Sequence, residues 1–214
     1  MYKTLALALA AGAAAAPSSK PAPLSSLEFG LIMGVSNSTS GQKTFVSLNA
    51  AKNANEENYQ LIGQRLSVYP GTPAFADSPT PDPDFRALEL DIDGVSYGLF
   101  AEDIGHRSGA RTQITANKSQ KQYEWAINAQ TGEISHKISS AVNQFLACNT
   151  TVNGEEYLSL AWGNYASEGL PEGCIHTSVY QNCNVPGSVA KCGSSESAWR
   201  VVFVVASTGI FRLV

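Results

Sequence analysis

The sequence has little helical periodicity: few stretches place apolar residues every three or four positions. Its 14 lysines and arginines are scattered, so no basic stripe is present that could neutralise nucleic-acid phosphates. It also has no C-x-x-C pair and no H-E-x-x-H motif, the spacings typical of zinc sites. These absences predict a protein that is not helical, has no nucleic-acid partner and holds no metal or other cofactor.

No apolar run is long enough for a typical membrane span of about 20 residues. The run at the N-terminus stops at Pro17 and consists largely of alanine. One lysine (Lys3), then leucines and alanines, is the layout of a secretory signal peptide, which we predict over residues 1–16. Its removal takes away 1 of 14 basic residues and leaves 13 against 18 acidic ones. We therefore expect a secreted, acidic mature chain without an integral membrane span.

The chain has four cysteines, and all of them lie in its C-terminal third. An even number of cysteines in a secreted protein predicts disulfides, and four cysteines allow three pairings. Cys183 and Cys192 flank the short segment NVPGSVAK, which favours a local bridge between them and leaves Cys148 to join Cys174. Zinc is a weaker alternative, because His176 is the only imidazole nearby.

Three N-x-S/T sequons begin at Asn37, Asn117 and Asn149. In a secreted chain each predicts a surface asparagine that can carry a glycan. Asn149 directly follows Cys148, so its glycan would lie beside a disulfide.

Short segments with alternating apolar and polar residues dominate the chain from residue 27 onward. We count about nine such strands, a number typical of sandwiches and barrels. The predicted fold class is therefore all-β: an antiparallel β-sandwich or barrel with a long proline-rich loop over residues 70–84 and a disulfide-linked C-terminal region. The predicted divisions are a signal peptide (1–16), a flexible segment (17–26), a β-sandwich domain (27–182) and a C-terminal extension (183–214).

Two hairpins carry the clearest local signals. In the first, Leu88, Leu90 and Ile92 alternate with acidic residues before Asp93-Gly94, a dipeptide that suits a type I′ turn. In the second, the segment YEWAI is followed by a turn at residues 130–132 and by a returning strand that contains His136.

The C-terminal segment VVFVV is predicted to form a final strand. The alternative is the hydrophobic tail of a glycolipid-anchor signal, with small residues at 193–195 before it. Arg200 and Arg212 interrupt the apolar run, and the polar spacer is nearly absent, so we favour the strand.

The segment GVSYG places Ser96 in the G-x-S-x-G pattern of esterase nucleophiles. That chemistry needs a sharp turn between a strand and a helix, whereas Ser96 is predicted inside the return strand of a hairpin. We therefore expect no catalytic residue here.

Other chemically suggestive residues are better explained as structural. Asp91 and Asp93 resemble the start of a calcium loop, but its later ligands are missing. Neighbouring acids on a strand point to opposite faces and cannot act as a glycosidase pair. Aromatic residues at alternate strand positions could stack on sugars but are more often core. The acids are Glu102, Asp103, Glu155 and Glu156, the histidines are His106, His136 and His176, and the tryptophans are Trp125, Trp162 and Trp199.

The stretch from Gln144 to Gln181 resembles the C-terminal part of the fungal cell wall protein PhiA family. An aromatic-x-x-C strand is followed by a second strand, a Pro-x-Gly-Cys turn and a last strand. The chain departs from the family in its proline-rich insertion and in the residues after 182, which add two cysteines. The matching residues are Phe145, Cys148, Leu170, Pro171, Gly173, Cys174 and Val179.

This resemblance implies a secreted, non-catalytic cell wall protein tied to phialide and conidium development, with no catalytic residues to carry over. It also supports joining Cys148 to Cys174. We therefore expect a glycosylated structural or surface protein that is retained in the fungal wall by its glycans or by contacts with wall polysaccharide. The alternatives are a secreted hydrolase that uses Ser96 and a secreted carbohydrate-binding or effector module.

Overall fold

The computed structural model describes residues 28–36, 42–77, 85–102, 111–137, 143–164 and 169–183, with the side chains of 143 and 164 excepted. These residues form thirteen strands and no helix. The predicted signal peptide, the flexible segment and the VVFVV tail lie outside the described residues. The strands are β1 (Gly30–Ser36), β2 (Lys43–Ala51), β3 (Tyr59–Arg65), β4 (Ala74–Asp77), β5 (Ala87–Ile92), β6 (Val95–Phe100), β7 (Arg111–Gln113), β8 (Thr115–Asn117), β9 (Trp125–Ile127), β10 (Glu133–His136), β11 (Asn143–Val152), β12 (Glu155–Asn164) and β13 (Cys174–Asn182).

All strand pairs are antiparallel, in the order β4-β5-β6-β8-β3-β2-β1-β13-β11-β12-β7. Strand β12 also pairs with β3, so the six strands from β3 to β12 in this order close into a ring. From β3 the sheet continues through β8 into β6, β5 and β4, while β10 and β9 extend from β13. The predicted all-β antiparallel fold is confirmed.

Both predicted hairpins are present. Asp93 and Gly94 adopt positive φ angles of 55° and 79°, as a type I′ turn requires, and the Asp91 carboxylate accepts a hydrogen bond from the Gly94 amide at 2.7 Å. In the second hairpin His136 lies opposite Trp125 across β10 and β9. The sequence therefore specifies these turns locally.

The proline-rich segment differs in part from its prediction as a loop over residues 70–84. Ala74–Asp77 forms strand β4, while residues 78–84 lie outside the described residues. Strand β4 pairs with β5 at the end of the sheet, and on its other side Ala74 exchanges two backbone hydrogen bonds with Phe29, of 2.7 and 2.8 Å. Pro73 directly precedes the strand, a position that proline tolerates because it lies outside the ladder.

The main core is formed by large apolar side chains from the closed ring and from the β4–β6 extension. Leu31, Leu61 and Leu160 are each no more than 2% exposed. A second, small cluster of Leu146, Cys148, Ala161 and Cys174 is separate from this core. Each fully buried leucine typically stabilises the fold by about 1.5–3 kcal/mol.

Candidate functional site

The crosslink between Cys148 and Cys174 joins two adjacent strands. The two residues lie directly opposite each other on β11 and β13, and their sulfur atoms are bonded. Both are buried, and the Arg111 guanidinium donates to the Cys174 Sγ at 2.7 Å. This predicted pairing is confirmed. Cys183 is also disulfide-bonded, but Cys192 lies outside the described residues, so the Cys183–Cys192 pairing stays a prediction.

The described sequons differ sharply in exposure. Asn149 is exposed on β11, one residue after the disulfide, as a glycan acceptor must be. Asn117 is only 6% exposed, and its Nδ2 donates to the Gln120 Oε1 at 2.6 Å. The expected surface position is therefore wrong for the Asn117 side chain in the folded chain. Asn37 lies outside the described residues.

Ser96 lies inside β6, between Val95 and Tyr97, and not between a strand and a helix. Its exposed hydroxyl donates a hydrogen bond to the Glu89 Oε2 on the neighbouring strand. An esterase elbow would instead project the serine from a strained turn toward an imidazole. The local geometry of Ser96 is that of an ordinary strand residue.

Glu89 is the most deeply buried acid of the described residues, with only 1% of its surface exposed. Its second oxygen, Oε1, accepts a hydrogen bond from the Lys121 ammonium at 2.7 Å, and the same ammonium lies 3.0 Å from Asp77. The hydrogen bond to Glu89 raises the pKa of Lys121 to about 12 against the opposing effect of burial, and Asp77 adds to the rise. The buried carboxylate is thus satisfied by a hydroxyl and a cation.

Glu89 alternates with Leu88 and Leu90 along β5, so its side chain lies on the opposite face of the hairpin. Residues 118–122, which we call the strap, cover Glu89 and Gly98 on that face. An added Cβ at Gly98 would lie 2.0 Å from the Gln120 carbonyl oxygen, so only glycine lets the strap approach this closely. Gln122 holds the C-terminal end of the strap through two hydrogen bonds with the Ala101 backbone, of 2.8 and 3.0 Å.

A pocket of about 420 Å³ opens where the strap leaves β8. Glu57 and Asn58 contribute from the connection between β2 and β3, Tyr97 from β6, Asn117 from the end of β8, and residues 118–120 from the start of the strap. Tyr97 forms the aromatic wall of the pocket. Its ring lies edge-on to Tyr59, with 5.1 Å between the ring centroids, and this contact holds it in place. Local patterning did not predict this pocket, because its walls come from three separate parts of the sequence.

Asn117 carries the polar atom of greatest interest in this pocket. Its Oδ1 is buried and has no hydrogen-bond partner among the described residues, although its Nδ2 is bonded to Gln120. A buried acceptor without a partner typically costs about 1–3 kcal/mol. Such a cost marks a position at which a bound group could gain affinity.

Trp125 and Trp162 are at most 2% exposed and belong to the core, which removes them as platforms for sugar rings. Between them lies buried His136, with ring centroids 4.6 and 5.4 Å from the two indoles. The exposed His176 instead hydrogen-bonds with Gln144. His106 and Trp199 lie outside the described residues.

The remaining candidate acids that the structure describes lie at exposed positions. Glu155 and Glu156 are exposed neighbours at the start of β12, and the Glu155 carboxylate accepts from the Tyr157 hydroxyl. That hydrogen bond raises the pKa of Tyr157. Glu102 is also exposed, and Asp103 lies outside the described residues.

Within the part of the chain that the structure describes, no cluster of three His, Cys, Asp or Glu side chains could hold a metal ion. A search of the same residues finds no helix with the length and hydropathy needed to cross a bilayer. Comparisons with protein-family models, curated proteins and solved structures gave no match to the chain.

Proposed function

We propose that this chain is a secreted, non-catalytic protein of the fungal cell wall or cell surface, with a structural or developmental role. The observation that carries the proposal is the contact between Ser96 and Glu89. The serine hydroxyl, the most plausible nucleophile in the sequence, is directed at a buried carboxylate that also binds the Lys121 ammonium. This is the arrangement of a structural polar network that holds the strap in place.

The disulfide between two strands of the sheet supports an extracellular location. Disulfides persist in oxidising compartments and are rare in the cytosol. The Cys148–Cys174 bond ties two central strands together, and the exposed Asn149 beside it is accessible to a glycan. A small, crosslinked, glycosylated β domain suits a component that must persist outside the cell.

Retention in the wall is the direct test of this proposal. Fractionation of fungal cultures that secrete the full chain is expected to recover it with the insoluble wall. Recovery of nearly all the chain from the medium would favour the secreted effector instead.

The second candidate is a secreted hydrolase, because Ser96 lies in a G-x-S-x-G segment and occupies an exposed strand position. Its test is an ester-hydrolysis assay of the purified chain and of Ser96→Ala. We expect no turnover that depends on Ser96. An activity that the substitution abolishes, at unchanged melting temperature, would overturn the non-catalytic assignment.

A further inference from the structure

We propose that the pocket beside the strap, which is lined by Glu57, Asn58, Tyr97 and residues 117–120, is a binding site for a neutral oligosaccharide. The inference rests on the proposed function and deepens it, since it names the polymer chemistry that a wall protein would contact. The pocket volume of about 420 Å³ lies within the range of small-molecule sites, roughly 300–1,000 Å³.

The polar lining favours hydroxyl groups as partners. Asn58, Asn117 and Gln120 each carry an amide that can both donate and accept, and Ser119 adds a hydroxyl. Sugar hydroxyls have the same dual capacity, so such a set can satisfy them without proton transfer or charge. The Asn117 Oδ1 has no hydrogen-bond partner among the described residues, so one acceptor of this set is unsatisfied in the absence of a ligand.

The charges of the pocket argue against an ionic ligand. One acid, Glu57, and one base, Lys118, line it, so neither an anion nor a cation is selected by net charge. Lys121, at the next position after Gln120, is already engaged with Glu89 and Asp77. A neutral ligand is therefore the class that the lining fits.

The aromatic wall favours a ring-shaped ligand. Tyr97 is half-buried, and its contact with Tyr59 holds the ring in one orientation. The C–H face of a pyranose ring packs well on a fixed aromatic side chain, while its hydroxyls reach the amides around it. This combination of a flat wall and neutral amides distinguishes the pocket from the buried tryptophan cluster, which no sugar can reach.

The sequon at Asn117 supplies the competing occupant, the protein's own glycan. Mass spectrometry of the secreted chain decides this first, and we expect the Asn117 peptide to be unmodified because its Nδ2 is buried and bonded to Gln120. A glycan found at Asn117 would overturn the proposal, since the pocket would then hold an attached sugar.

Binding is tested by calorimetric titration of the full chain with two soluble probes, a chitin hexasaccharide and a β-1,3-glucan hexasaccharide. We expect saturable binding of at least one. Asn58→Ala should weaken it about tenfold through the loss of one amide, and Tyr97→Ala by a similar factor through the loss of the wall. Tyr97→Phe keeps the flat ring and should bind nearly as the unmodified chain does.

Asn55→Ala is the matched control for Asn58→Ala, because Asn55 is equally exposed in the same connection but does not line the pocket. If Tyr97→Ala lowers the melting temperature, the test relies on Asn58→Ala alone, because Asn58 is exposed. No saturable binding of either probe, or binding that Asn58→Ala and Asn55→Ala leave equally unchanged, would overturn the proposal. Because the probes are soluble, failure here leaves retention in the wall to be judged separately by culture fractionation.

Discussion

Gly98 makes the covered face of the β5–β6 hairpin possible. Its missing side chain admits the Gln120 carbonyl, and the strap can then place Lys121 over Glu89. A polar strand face that would otherwise meet water becomes part of the interior. The strap and its pocket therefore depend on one glycine and one buried ion pair.

Gly98→Ala is expected to lower the free energy of unfolding by about 2–3 kcal/mol, because the new Cβ must displace the strap backbone. Gly154→Ala is the control: nothing lies within 4 Å of its added Cβ, and its positive φ of 86° alone should cost about 1 kcal/mol. Urea denaturation measures both. Equal losses for the two variants would show that the strap does not press on Gly98.

Lys121→Met is expected to destabilise the fold by about 1 kcal/mol at neutral pH, a small value because the lysine side chain is 44% exposed. The pKa of Lys121 is raised from 10.5 to about 12, so its contribution is complete below pH 10.5 and is lost as the pH rises through 12. The stability of the unmodified chain should therefore fall more steeply over this range than that of Lys121→Met. Parallel pH profiles of chemical denaturation would contradict the role given to this ammonium.

At the scale of strands, the sequence pattern correctly predicted the features that residues close together in the chain determine. The β5–β6 turn follows from Asp93-Gly94, and the β9–β10 pairing from alternation around Trp125 and His136. Strand β4 escaped prediction because proline content masks a short edge strand. The burial of Glu89 could not be predicted, because the strap that covers it begins 29 positions later in the chain, at residue 118, and periodicity carries no information over that distance.

The pocket illustrates the same limit. Tyr97 belongs to the GVSYG segment and residues 117–119 form a sequon, but neither pattern indicates a pocket, and the sequon predicted an exposed asparagine where the structure has a buried one. Only the meeting of the β2–β3 connection, β6 and the strap creates the site. The chemistry of the pocket therefore depends on the tertiary structure, which local sequence patterns do not show.

The disulfide between β11 and β13 should contribute strongly to stability, because it closes a segment of 26 residues. Chain-entropy arguments give roughly 3–4 kcal/mol for a loop of that length. Cys148→Ala/Cys174→Ala should therefore unfold at a markedly lower temperature in calorimetry than the unmodified chain. An unchanged melting temperature would mean that the bond adds no constraint beyond the strand pairing around it.

For the whole molecule, a ring of six strands and the sheet extension share the main core, a disulfide ties two strands of the ring, and a polar network secures the strap over the extension. Among the described residues, Ser96, Glu89 and Lys121 take part in structural contacts. The exposed sequon at Asn149 and the polar pocket beside the strap are accessible from outside. We therefore expect the molecule to act through attachment at the cell exterior.

The most direct measurement is the distribution of the full chain between washed, detergent-extracted walls and medium in a fungal culture that secretes it, followed by immunoblotting. The account predicts that most of the chain stays with the walls and that Ser96→Ala distributes identically. Quantitative release of the chain into the medium, with none held by the walls, would contradict it.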